Sequence, residues 1–250
     1  MRATRTSGSL PTGVHRQMVD FRPSPAAPPA TPPPWVVQGE RSRRALNVGV
    51  AAIGLLLAAP VMLLVAVLVR LDSRGPVIFK QHRVGQDRRG SRGPESETRR
   101  RGDDAGGRLF TMYKFRTMTC ASADCEARWA TKEDNRITRL GRFLRATRID
   151  ELPQLVNVLK GDMNIVGPRP EQPTIFQELR RELGGYQDRQ KVLPGITGWA
   201  QVNLGYDTSI DDVKKRVELD LEYIEKRSAA EDLAIMAKTM PVMVFRRVWM

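Results

Sequence analysis

Hydrophobic and polar positions divide the chain into segments of different period. Residues 1–40 have no period: "FRPSPAAPPATPPPW" mixes Pro and Ala without an apolar repeat. Such a composition buries too little apolar surface to fold, so a disordered Pro-rich tail is expected there. It also lacks a signal-peptide layout, because the apolar run comes late and no small-residue cleavage site precedes it. From Ala45 to Val69 the pattern inverts: the run has no charge, and Asn47 is its strongly polar exception. As a helix it would extend about 37 Å, enough for a hydrocarbon core of about 30 Å. Pro60 lies inside the run, and Arg41, Arg43, Arg44, Arg70 and Arg74 flank it on both sides. Proline bends a helix, and basic flanks prefer the cytoplasmic side. The residues alone therefore leave two paths open, a Pro-kinked spanning helix and a re-entrant hairpin bent near Pro60.

Shorter periods follow. Gly75–Gly85 reads as a turn and a strand, and Leu109–Met118 alternates, with Phe110, Met112 and Phe115 facing one way and Tyr113 and Arg116 the other. Between them, residues 87–108 form a Gly-rich charged stretch without apolar anchors, expected to be a mobile loop. Ile137, Leu140, Phe143 and Leu144 recur at helical spacing, with Arg136, Arg139, Arg142 and Arg145 on another face. That pairing suits the surface of an anionic membrane. Leu152, Leu155, Val156 and Leu159 form a second stripe that stops at Lys160-Gly161. A short strand in "LPGITGWAQVN", a helix marked by Val213, Val217, Leu221 and Ile224, and an apolar Met-rich end from Leu233 complete the chain. The expected fold is mixed α/β, mainly helical, with a membrane segment over 41–74 and a small domain of amphipathic interfacial helices and short strands over 75–250.

Composition narrows the chemistry. The chain of 250 residues has a net charge of +13. Residues 1–44 hold seven Arg against Asp20 and Glu40, so about +5 of it belongs to the tail and the membrane flank. Anionic partners are implied, but no nucleic-acid module signature is present. Two cysteines, Cys120 and Cys125, and two histidines, His15 and His82, exclude a disulfide scaffold, a thiolate zinc site within the chain and a His-based triad. P-loop, Rossmann and zincin motifs are absent. Carboxylates, Arg, Lys and a hard cation are left to do any chemistry.

Those groups meet in "TRIDELPQLVNVLKGDMNIVGPRP". Asp150 and Glu151 are adjacent, at the cap or first turn of the expected helix, and Pro153 is tolerated that early. A helix start favours negative charge and offers N–H groups to a phosphate. An ionised carboxylate beside a bound diphosphate can act as a nucleophile, and Mg²⁺ held by the pair would offset the repulsion. Arg148, Arg169, Arg116 and Lys114 are the cations available to phosphate. In isolation the pair reads as an ordinary helix opener and predicts nothing. Together with the apolar segment and the basic helix it points to a substrate that is part lipid, part phosphate.

"RLDSRGPVIFKQHRVG", "MYKFRTM", "ITRLGRFLRATRIDELPQLVNVLKGDMNIVGPRP" and "PGITGWAQVN" together resemble the bacterial sugar transferase family, the monotopic polyprenyl-phosphate phosphoglycosyl transferases. The likeness runs from about Arg41 to Arg247 in the family's motif order. It implies transfer of a phosphosugar from a UDP-sugar to a membrane polyprenyl phosphate such as undecaprenyl phosphate, with Mg²⁺ and release of UMP. This is the first step of exopolysaccharide, capsule, O-antigen or glycan synthesis. It gives Asp150 the role of nucleophile and Glu151 that of its partner at the metal. Lys114, Arg148, Pro168, Arg169 and Pro170 fall near the phosphates, Asp232 aligns with a family acid near the site, and Arg116 stays a phosphate-binding candidate by its charge and place in the chain. The family's re-entrant helix breaks at a proline, which favours the hairpin at Pro60 and a catalytic domain on the cytoplasmic face of the bacterial inner membrane. Membrane lipids are then partners, and a homodimer is left open. Ala59 and Asn47 stand where the family often has Ser and Asp, and the 87–108 loop is longer than usual. The chain resembles the minimal form of the family with a disordered extension.

Overall fold

The structure is a computed structural model and describes residues 34–87, 106–119, 136–205 and 209–245. Most of the expected tail and of the 87–108 loop, both cysteines, His15, Arg246, Arg247 and Trp249 lie outside these residues. Helix α1, Pro34–Asp72, runs unbroken through Pro60. Its stretch Gly39–Asp72 is long and apolar enough to cross a membrane and is barely buried by the rest of the chain. Strands β1 (Ile78–Val84) and β2 (Leu109–Phe115) pair antiparallel, with Ile78 opposite Phe115 and Val84 opposite Leu109. Helices α2 (Arg139–Ala146) and α3 (Gln154–Lys160) flank a 3₁₀ turn, Ile149–Glu151. Then come β3 (Asn164–Val166), α4 (Pro173–Glu182), a 3₁₀ segment (Tyr186–Lys191), β4 (Gly195–Thr197), α5 (Trp199–Asn203), α6 (Ile210–Lys226) and α7 (Ala229–Phe245). Strands β3 and β4 are parallel, a pairing that needs a long crossover, here α4 and the 3₁₀ segment.

Three apolar clusters hold these elements. The largest joins Ala51 of α1, Phe110 and Met112 of β2, Val158 of α3, Ile165 and Val166 of β3, Ile224 of α6 and Ile235 of α7. A second gathers Val84, Phe176, Leu183, Tyr186, Val213 and Val217. The third packs Val65 and Val69 of α1 on Phe115 and Leu144. Phe115 therefore faces away from Phe110 and Met112, as strict alternation requires, and not with them as the sequence pattern suggested. The third cluster gives Phe115 its own apolar partners on that side.

Polar ties fix α1 to the domain. Asn47 is fully buried; its Oδ1 accepts from the Ile165 N–H at 2.6 Å, and its Nδ2 donates to the Arg43 carbonyl at 2.7 Å. Arg44 donates to the carbonyls of Val158 and Met163. At the other end of α1, Arg116 donates to the carbonyls of Val69 and Ser73, satisfying groups that the end of a helix leaves open. Helix α3 starts late. Its cap position is Pro153, and Gly161 ends it at φ 82°. The stripe read from its sequence is not its core face: Gln154, Asn157 and Val158 are buried, whereas Val156 and Leu159 are exposed.

Candidate active site

Arg148 has φ 58°, the only positive value at a non-glycine residue among those described. This left-handed residue ends α2 and turns the chain into the 3₁₀ turn that carries the acidic pair. Asp150 is thus not a cap of α3, as the sequence suggested. The tighter turn buries both neighbouring carboxyls, leaving Asp150 7 % and Glu151 8 % exposed. Burying two adjacent acids is costly unless cations meet them.

The cations converge on Glu151. Its Oε1 accepts from Lys114 Nζ at 2.8 Å, with Arg148 Nη1 at 3.6 Å and Arg169 Nη1 at 3.7 Å. Burial pushes the Glu151 carboxyl up, but Lys114, Arg169 and Arg148 outweigh it and hold the group well below the usual carboxylate range. Burial pulls Lys114 below the usual lysine value, with Glu151 opposing. Asp150 behaves differently. Burial and then the Glu151 charge push it up to about 6, against Lys114, Arg148 and Arg145. Its Oδ1 is buried and has no hydrogen-bond partner. One carboxylate is clamped and the other presents an unengaged oxygen, a division of roles that two equivalent surface acids would not show.

Two supports position the cations. Asn157, fully buried in α3, accepts from the Tyr113 N–H at 3.1 Å and donates to the Thr111 carbonyl at 2.7 Å, fixing β2 one residue before Lys114. The Pro-Arg-Pro turn is gripped through three consecutive carbonyls. Gly195 N–H donates to Pro168, Arg189 Nη2 to Arg169 and Arg83 Nη1 to Pro170. Arg189 is itself held by Asp220 at 2.7 Å and by the Tyr186 hydroxyl at 2.7 Å. Burial pulls the Arg83 guanidinium down to about 10, with Glu171 opposing. Prolines at 168 and 170 have no N–H to donate, so the turn is anchored by its oxygens.

Five of the residues expected at the site therefore come together: Lys114, Arg148, Asp150, Glu151 and Arg169, the last flanked by Pro168 and Pro170. Two do not. Arg116 is bonded to the end of α1. Asp232 is fully buried elsewhere, accepting from Arg43 Nε at 3.0 Å and from the Tyr223 hydroxyl at 2.7 Å. Sequence reading missed Arg83, Arg145, Asn157 and the Arg189–Asp220 pair. Arg145 did carry a signal: it ends the Arg stripe nearest the dyad, although the stripe as a whole read as a membrane face. Beside the dyad, a cleft of about 150 Å³ runs from Arg148 and Glu151 between Leu155, Ile196, Val202 and Thr239.

The family profile described as bacterial sugar transferase matches residues 39–246. The chain belongs to this family. This bacterial sugar transferase is 43% identical over 197 residues to the UDP-N-acetylgalactosamine-undecaprenyl-phosphate N-acetylgalactosaminephosphotransferase of Aeromonas hydrophila, covering 79% of this chain and 42% of the relative. It is 41% identical over 199 residues to the UDP-glucose:undecaprenyl-phosphate glucose-1-phosphate transferase of Escherichia coli, covering 79% and 39%. The same-named protein of Caulobacter vibrioides is 37% identical over 215 residues, covering 85% and 73%. The chain thus spans about two fifths of the length of the first of these relatives.

Proposed function

We propose that this sugar transferase moves a phosphosugar from a UDP-sugar to a polyprenyl phosphate at the membrane surface and releases UMP. Relatives named for N-acetylgalactosamine and for glucose match at nearly the same identity, so the reading commits to the donor class. The observation that carries it is the asymmetric dyad: the unpartnered, buried Asp150 Oδ1 beside a Glu151 clamped by Lys114, Arg148 and Arg169.

Asp150 is the nucleophile. Its carboxylate oxygen attacks the phosphorus that bears the sugar, the bond from that phosphorus to the bridging oxygen breaks, and UMP leaves with the electron pair. An oxygen of the polyprenyl phosphate then attacks the phosphorus of the resulting acyl phosphate. The bond to Asp150 breaks, the carboxylate is restored and polyprenyl-diphosphate-sugar departs. Arg169 and Arg148 face the charge that builds on the phosphoryl oxygens, and burial of the dyad keeps competing water away. Magnesium fits the pair, since it needs only one or two carboxylates beside phosphates and water, and Asp150 retains an unengaged oxygen. Asp150 and Glu151 would hold it, and it would supply neutralisation of the diphosphate. Among the described residues no third acidic, His or Cys side chain joins them.

Membrane attachment follows α1. Support for a re-entrant path comes from both ends of its apolar run: Ala51 packs on the largest core cluster, and Val65 and Val69 pack on the third. Between these docking points Leu56, Leu57 and Leu63 are each more than two thirds exposed. A segment that docks at both ends on one domain enters and leaves lipid on one face, and its basic flanks put that face in the cytoplasm. Phe143, exposed beside Arg139 and Arg142, adds an interfacial contact.

The test is UMP release from a panel of UDP-sugars by the detergent-solubilised chain with undecaprenyl phosphate. One donor gives acceptor-dependent UMP, and Asp150→Asn abolishes it. Near-normal turnover by Asp150→Asn would remove the nucleophile from the scheme.

A further inference from the structure

The cleft beside the dyad has no role in the chemistry above. Its volume, about 150 Å³, matches that of an engineered apolar cavity that takes a six-carbon ring. Leu152, Leu155, Ile196 and Val202 supply its apolar wall. Its two threonines have little left to offer. Thr239 donates to the Ile235 carbonyl at 2.7 Å, so Thr197 is the donor in the Thr197–Thr239 bond at 2.9 Å, and both hydroxyl hydrogens are spent. Gln201 donates to the Ile196 carbonyl and keeps one acceptor, Oε1, without a partner. A sugar ring brings several hydroxyls, each of which needs a partner once buried. This lining meets few of them.

The two ends of the cleft differ. One end is Arg148 and Glu151, at the dyad. Two of the remaining walls come from helices whose next residues are exposed and apolar: Val156 follows Leu155 on α3, and Met240 follows Thr239 on α7. Leu155 also lies against Gly54, inside the apolar run of α1, next to the exposed Ile53. The cleft therefore links a cationic, phosphate-facing end to the greasy surface shared by α1, α3 and α7. An occupant with an anionic head and an apolar chain complements both ends.

We infer that this cleft binds the acceptor lipid, holding the isoprene unit next to the phosphate between Leu155, Ile196, Val202 and Thr239 while Arg148 faces the phosphate. The inference rests on the phosphosugar transfer proposed above and adds where its acceptor sits. A five-carbon unit fills the available space, and burying it against these side chains selects a branched prenyl chain over a sugar or a free phosphate.

The experiment uses the full chain in detergent and a prenyl phosphate that carries a diazirine in its first isoprene unit. After illumination, peptide mass mapping should find adducts within residues 152–155 or 196–202. Excess undecaprenyl phosphate should compete them away, and inorganic phosphate at the same concentration should not. Thr239→Phe, which fills the cleft, should cut labelling about tenfold, equivalent to about 1.4 kcal/mol of affinity. Adducts confined to other segments, equal competition by inorganic phosphate, or wild-type labelling of a folded Thr239→Phe would each overturn the inference. If Thr239→Phe does not fold, the wild-type map still decides. Parallel UMP assays separate the two claims. Turnover without labelling of the cleft overturns the cleft alone; labelling of the cleft without turnover overturns the reaction and leaves a prenyl phosphate site.

Discussion

Replacing Asp232 by alanine removes the anion from the middle of a buried network. The Arg43 guanidinium is 3 % exposed and donates twice to this carboxylate, at 3.0 and 3.2 Å, while Tyr223 donates at 2.7 Å. Without Asp232, Arg43 keeps the Tyr223 oxygen and Glu40, a half-exposed residue on the same helix. Breaking a buried pair by deleting one partner costs about 3–5 kcal/mol, because the other charge stays buried. In a domain of this size each kcal/mol moves the melting temperature by about 2–4 °C, so a fall of about 6–20 °C is expected. Tryptophan fluorescence during thermal and urea unfolding in detergent measures it. The double change Arg43→Met with Asp232→Leu should recover most of the loss, since an apolar pair of similar volume replaces a buried ion pair at little cost. Asp232→Asn, assayed well below its melting temperature, should keep the KM for the UDP-sugar. If Asp232→Asn melts like the wild type but loses kcat/KM about a hundredfold, the residue belongs at the phosphates and not to a structural network with Arg43 and Tyr223.

Two further outcomes follow from the packing. Arg189→Met leaves Asp220, 2 % exposed, without its hydrogen-bonded cation and frees the Arg169 carbonyl, so a loss of about 3–5 kcal/mol in urea unfolding should accompany a raised KM for the UDP-sugar. Unchanged stability would refute the anchoring role. Gly141→Ala gains up to about 1 kcal/mol in helix propensity, but its Cβ would overlap the Thr117 carbonyl of the neighbouring segment. Overpacking of about 1–3 kcal/mol should win, and a raised melting temperature would show that the two segments separate easily.

The long apolar helix, both strand–turn units and the dyad with the cations around Glu151 were legible because each leaves a local signature. Charge-free length marked α1, alternation marked β1 and β2, and adjacent acids among arginines marked the site. What stayed hidden depends on contacts between distant segments. Asp232 reads as an acid like any other, and only its partnership with Arg43, 189 positions away, makes it structural. Asn157 is one polar residue in a short helix until β2 is seen to use it as a hydrogen-bonding edge. Arg116 lies one residue past the end of β2, two from Lys114, yet it meets the end of α1 instead. The α3 stripe misled because α3 buries Gln154 and Asn157 beside Val158 and leaves Val156 and Leu159 exposed.

The claim at the centre is that Asp150 carries the phosphosugar between donor and acceptor. Intact mass measurement after mixing the chain with its UDP-sugar in the absence of polyprenyl phosphate, followed by rapid acid quench, tests it most directly. The account predicts one equivalent of UMP and a mass increase of one phosphosugar, mapped to the peptide containing Asp150, that vanishes when the lipid acceptor is added before quenching. Product formation at the normal rate with no adduct at any quench time, or an adduct that persists in Asp150→Asn, would contradict it.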